Sequence, residues 1–427
     1  MLKFKKYHII LLFIIILFSA KNIFAQKNIL QETVFKDNIY TLMIHPEDAP
    51  LSYPIINLNG NDKIKLSFDD LDSHKKLKDY QYTIIHCNSD WTNSELFFSD
   101  YIDGFEENDI TEYDQSFNTF CDYIHYKTVF PNDDLKFLLS GNYIVRVYED
   151  YNTDDVVLQA RFVVVEQQIA INSWVKTPTR ANLKFTSQEI DFSLFTQNAN
   201  ISNPMRDINV TVTQNNRWDN AIYNLKPRFI KNNELSFDYD FENVFLGGNE
   251  FRYFDAKDVK FAAERTQNIE YKAPFYHFYL ILDEILNYQK YSYNADLNGK
   301  RFIKNDRGFN DENESDYLWV HFRLKSEFEY PNDVYIFGGL TNWNCTEKAK
   351  MTFNKDKHQY ECAMFLKQGY YNYQFAILDK NTGKINTTDL EGSHFDTEND
   401  YIIYVYLRDQ SLNCDRLIGV NINKNEK

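Results

Sequence analysis

SGNYIVRVYED, residues 140–150, sets Tyr143, Val145 and Val147 on one face of an extended chain and Asn142, Ile144, Arg146 and Tyr148 on the other. A period of two is the mark of a strand with one face against a core. In RFVVVE, residues 161–166, the alternation stops. Residues 162–165 are apolar throughout, which predicts a strand buried on both faces that closes a first block near Glu166. A second block begins near Gln167, where Ile208, Val210 and Val212 alternate with Asn209, Thr211 and Thr213. A third follows NDRGFNDENESD (305–316), the most polar stretch of the chain and the expected linker; beyond it Leu318, Val320, Phe322 and Leu324 alternate with Trp319, His321 and Arg323.

Short strands with turn signals about every ten residues predict an all-β chain of tandem immunoglobulin-like β-sandwich domains. The expected division is a signal peptide at 1–25, then sandwiches at 27–166, 167–312 and 313–427. Composition agrees: the 427 residues include 31 Tyr and 35 Phe, side chains that suit a pleated surface. Helix is expected to be scarce. PFYHFYLILDEILNY (274–288) fits either period, with a strand expected at its start.

The first residues carry a secretory leader. Lys3, Lys5 and Lys6 precede an apolar core at 9–18, and Ile23-Phe24-Ala25 ends in a small residue before Gln26, the expected mature start. The apolar run is about half of the roughly 20 residues that cross a bilayer, so no membrane span is expected in the exported chain. Formal charge is −16, and loss of the leader's four lysines takes it to −20. A chain this acidic repels phosphate backbones and anionic lipid, so nucleic-acid binding is discounted. Of five cysteines, Cys87 with Cys121, or Cys345 with Cys362, could bridge strands, but an odd count forbids full pairing and the favoured reading is five small hydrophobes.

IHCNSDW (85–91), DGFEEN (103–108), SFNTFCDYIHY (116–126) and FPNDD (130–134), followed by SGNYIVRVYED, resemble in that order the N-terminal domain of the type IX secretion system plug proteins of Bacteroidetes. LSFDDL (66–71) and FLGGNEFRYFDAKDV (245–259) fit the same family. The resemblance implies a non-enzymatic periplasmic protein, peripheral to the outer membrane, whose partner is the translocon barrel that it seals when no cargo passes. VYIFGGLTNWN (334–344) and GYYNYQF (369–375) look like the early-set sandwich shared with glycogen-binding modules. That second likeness places Trp343, Tyr370 and Tyr371 where a sugar would stack, and makes periplasmic glycan binding the alternative function.

No enzyme is legible. His86, Cys87 and Asp90 lack the spacing of a zinc site, and neighbours on a strand face opposite ways. Asp69, Asp70 and Asp72 lack the glycine and closing glutamate of a calcium loop and are expected in turns and caps. Gly247-Gly248 and Gly338-Gly339 are expected in turns or bulges, and no nucleophile elbow, phosphate loop or cofactor motif occurs.

Overall fold

The structure, a computed structural model, describes residues 30–72, 76–199 and 201–425. The leader and the cleavage expected before Gln26 lie outside them. The described chain is built almost entirely of antiparallel sheets packed as β-sandwiches.

In the first sandwich, Gly141–Glu149 lies between Val156–Val165 and Tyr80–Cys87, and these strands face a sheet of Ile39–Pro46, Ile64–Asp70, Ile124–Phe130 and Glu112–Gln115. Tyr143, Val145 and Val147 enter the core between the sheets with Leu66, Phe68 and Tyr126, as the alternation requires. Phe162 and Val164 join them, whereas Val163 and Val165 point into a separate apolar cluster on the opposite side. The apolar run is thus buried on both faces. Pro274 introduces a strand, Phe275–Leu280, and the residues after it form no helix.

The second sandwich corrects the expected boundaries. Its core of Ile190, Phe192, Val210 and Val212 is completed by Tyr401, Ile403, Val405 and Ile418, from the last hairpin of the chain. Asp400–Asp409 pairs with Ile208–Gln214 and with Cys414–Lys424, so residues 400–424 leave the block at 313–427 and close a sheet that starts nearly two hundred residues earlier. The block at 167–312 loses strands in turn: Arg252–Asp255 and Arg301–Ile303 both pair with Gly369–Leu378, and Phe275–Leu280 lies parallel to Tyr317–Lys325. The third core therefore runs from Phe254 to Leu390.

The sandwiches are locked together. The hairpin lays Tyr404, Tyr406 and Leu417 on the second face of the first sandwich, against Ile144, Val163 and Val165. The Tyr406 hydroxyl donates to Asn142 Oδ1 at 2.8 Å, and the amides of Glu166 and Gln168 donate to the carbonyls of Leu417 and Ile418 at 3.0 and 2.7 Å. The polar stretch at 305–316 is not a free linker. Asp316 accepts the backbone N–H groups of Phe120 and Cys121 at 2.9 and 3.2 Å, and the Tyr123 hydroxyl donates to the Ser315 carbonyl at 2.7 Å. Its polarity supplies partners to a buried seam, because buried polar groups must be satisfied.

Candidate functional site

Three loops, one from each sandwich, turn toward a common cleft of about 750 Å³. Two carry their tryptophan within the turn, Trp91 in NSDW (88–91) and Trp343 in LTNWN (340–344); at the third, NNRW (215–218), Trp218 is the second residue of the strand Arg217–Leu225 that leaves the turn. Sharp reversals are needed to point all three inward, and the backbone is left-handed at Trp91 (φ 63°), Asn216 (φ 58°), Asn342 (φ 49°) and Trp343 (φ 58°). Asparagine tolerates that region, whereas a tryptophan there stores strain that the surrounding packing must hold. At Trp343 the packing is visible. The ring sits edge-on to Phe251 and Phe337, with centroids 5.9 and 5.5 Å away, and a Cβ on Gly299 (φ +81°) would lie 2.3 Å from its Cη2.

Trp91 is buried edge-on to Trp218 at 4.8 Å, and the Arg161 guanidinium lies 4.4 Å from the Trp91 ring centre. Arg161 is fixed by donating Nε to the Leu30 carbonyl at 3.1 Å. Glu32 lies near it: burial pushes that carboxyl up to about 7, against the pull of Arg301 and Arg161.

Of the three aromatics singled out from the sequence, only Trp343 reaches this cleft. Tyr370 is half-buried elsewhere, its ring stacked 5.6 Å from that of Tyr253. Tyr371 is a core residue, 2% exposed, stacked on Phe254 at 4.9 Å and donating its hydroxyl to the Lys367 carbonyl at 2.5 Å. A strand sends Tyr370 and Tyr371 to opposite faces, so they could not share one ligand. Sequence reasoning missed Trp91, Trp218 and Arg161. The available signal was the repeated pairing of Asn and Trp within or just after a tight turn.

Residues 39–166 match the family model of the type 9 secretion system plug protein 1st domain. The span coincides with the first sandwich, from Ile39–Pro46 to the end of Val156–Val165. A solved structure described as a hypothetical protein from Parabacteroides merdae ATCC 43184 is 34% identical, with a TM-score of 0.89, and the match covers 93% of this chain and 100% of that one. The chain belongs to the type 9 secretion system plug protein family. A comparison with curated proteins gave no match.

Membership ties this plug-family chain to type IX secretion, and the quoted segments acquire structural roles. His86 is buried, with Cys87 turned the other way into the cluster beside the last hairpin, so the two do not share a site. Asp69 and Asp70 of LSFDDL are not in turns, because Ile64–Asp70 is covered on both sides. Asp69 receives Lys367 Nζ at 2.7 Å, the Tyr317 hydroxyl at 2.6 Å and His125 Nδ1 at 2.6 Å, clamping the first sandwich to the third. Burial pushes its carboxyl up, but Lys367 and His125 outweigh this and hold it below the usual range. Glu312, from the polar stretch, extends the clamp by accepting from Lys65 and Lys127.

Arg252, in FLGGNEFRYFDAKDV, is buried between Asp283 at 2.8 Å and Glu391 at 2.9 Å. Glu189, Asp191 and Asp238 lie close enough together to suggest a cation, but Lys176 already places its ammonium among them, 3.2 Å from Glu189 and 3.3 Å from Asp238. All five cysteines are free thiols. No helix among the described residues is long and apolar enough to cross a membrane.

Proposed function

We propose that this protein occludes the outer-membrane translocon of type IX secretion from its periplasmic side, as a stopper without turnover of any substrate. The observation that carries the reading is the plug-family match over the whole first sandwich. Mechanics supports it. A stopper must keep its shape against a wide opening, and here three sandwiches are joined by a buried ionic clamp at Asp69 and Lys367 and by a hairpin shared between the first two cores. A compact body of this length is roughly 55 Å across. With a formal charge of −16, the contact draws on electrostatic complementarity to basic groups of the barrel, and salt weakens it.

Deletion of the gene is expected to admit large dyes and antibiotics through the outer membrane while secretion largely continues, and the tagged protein is expected to capture the barrel, less so at high salt. Unchanged dye entry together with no captured barrel would overturn the assignment.

A further inference from the structure

The occlusion reading makes no use of the cleft between the three sandwiches, yet its side chains are arranged to receive something. Three asparagines are each fixed at one end. Asn216 Oδ1 accepts the Tyr404 hydroxyl at 2.9 Å, and Asn342 Oδ1 accepts Arg301 Nη2 at 3.1 Å. Asn344 Nδ2 donates to the carbonyls of Glu32 and Asn342 at 3.0 and 2.8 Å. No hydrogen bond among the described residues engages the other ends: Nδ2 of Asn216, Nδ2 of Asn342 and Oδ1 of Asn344. The indole N–H of Trp91, a buried residue of the cleft wall, also has no partner among the described residues. Beside these groups stand the half-buried rings of Trp218 and Trp343.

Charge narrows the ligand class. Asp219 is already paired with Arg217 at 2.6 Å, and Arg161, the cation of the cleft wall, stands beside Glu32 and is held by the Leu30 carbonyl at 3.1 Å, so phosphate, sulfate and acidic peptides find no cluster of uncommitted cations. A purely apolar ligand would leave the amide ends unpaired, at a cost of about 1–3 kcal/mol for each polar group that it desolvates. A neutral polyol satisfies both halves of the wall, its hydroxyls meeting the amides and its C–H faces the indoles. The volume lies within the roughly 300–1,000 Å³ of small-ligand sites. We infer that this cleft binds a short neutral oligosaccharide, held jointly by loops of all three sandwiches. Trp343 supplies one wall, and Tyr370 and Tyr371 take no part. The C-terminal sandwich alone would hold only a third of the site.

The test is isothermal titration calorimetry of the purified mature protein with maltotetraose, cellotetraose and chitotetraose. Saturable binding of at least one is expected. Asn224, an exposed residue of the rim with no side-chain hydrogen bond among the described residues, and Asn344 provide variants that spare the strained tryptophans. Asn344→Ala with Asn224→Gly, glycine keeping the left-handed backbone at 224 (φ 59°), should weaken binding at least tenfold while a cooperative thermal transition and the far-UV circular dichroism spectrum of the unaltered protein are retained. No heat with any of the three sugars at about 10 mM, tenfold above a Kd of about 1 mM, would overturn the inference. Binding unaffected by the two substitutions would overturn it equally, as would saturable binding of tetralysine in place of the sugars. The barrel is absent from this experiment, so its failure leaves the occlusion reading where it stood.

Discussion

At His86 the imidazole is enclosed by the rings of Tyr101 and Tyr143, its Nε2 donates to the Ser140 carbonyl at 3.2 Å, and its Nδ1 has no partner among the described residues. Gly141 makes the room: a Cβ there would lie 2.3 Å from Nε2, which ties the histidine of IHCNSDW to the glycine of SGNYIVRVYED. Burial pushes the ring down to about 4 from an ordinary 6.5. The unfolded chain therefore binds a proton that the folded chain refuses. Stability from this site is complete above about pH 6.5 and is lost as pH falls toward 4, by about 3 kcal/mol if nothing else titrates. Urea unfolding at pH 7 and pH 4.5 should show a smaller pH-dependent loss for His86→Gln than for the unaltered protein. Equal losses would place the acid sensitivity elsewhere.

At the scale of the strand, Ile64–Asp70 shows what periodicity conveys and what it conceals. Leu66 and Phe68 fall on the core side as an alternating strand demands. Asp69, the next residue and therefore on the opposite face, would point to water in an isolated sandwich, and the sequence offers no hint that Lys367 lies opposite, since the two are 298 residues apart. Lys367 is 1% exposed, so Asp69→Asn would leave a buried ammonium without its counter-charge, a cost of about 3–5 kcal/mol. Adding Lys367→Met should recover part of that loss. A single variant within 1 kcal/mol of the unaltered protein, or a double variant worse than the single, would show that the pair is no clamp. The same limit explains the rest of the reading. Strand faces at 142–148, 162–165, 208–213 and 318–324 were legible because alternation is a local property. The cleft was not, because its three tryptophans come together only through docking of sandwiches distant in sequence, and only Trp343 lies in a segment with a likeness to a sugar-binding fold.

For the molecule as a whole, the last hairpin decides how many parts can fold alone. Ile403, Val405 and Ile418 fill the second core, while Tyr406 and Leu417 cover the first sandwich. Each such side chain contributes about 1.5–3 kcal/mol when fully buried, and the net stability of a domain is only about 5–15 kcal/mol. Removing residues 399–427 also bares the edge of Ile208–Gln214, whose partner on that side is Asp400–Asp409. The shortened chain is expected to aggregate or to lose its cooperative thermal transition. The third core spans 254–390 and draws nothing from the hairpin, so the isolated segment 251–392 should give a dispersed amide NMR spectrum. The segment 313–427 should not, since it lacks Arg252–Asp255, Phe275–Leu280 and Arg301–Ile303 and carries a hairpin made to pack on other sheets. A well-dispersed spectrum from 313–427 alone would mean that the hairpin can close a core of its own, and the interlocked body that the stopper needs would lose its main physical support.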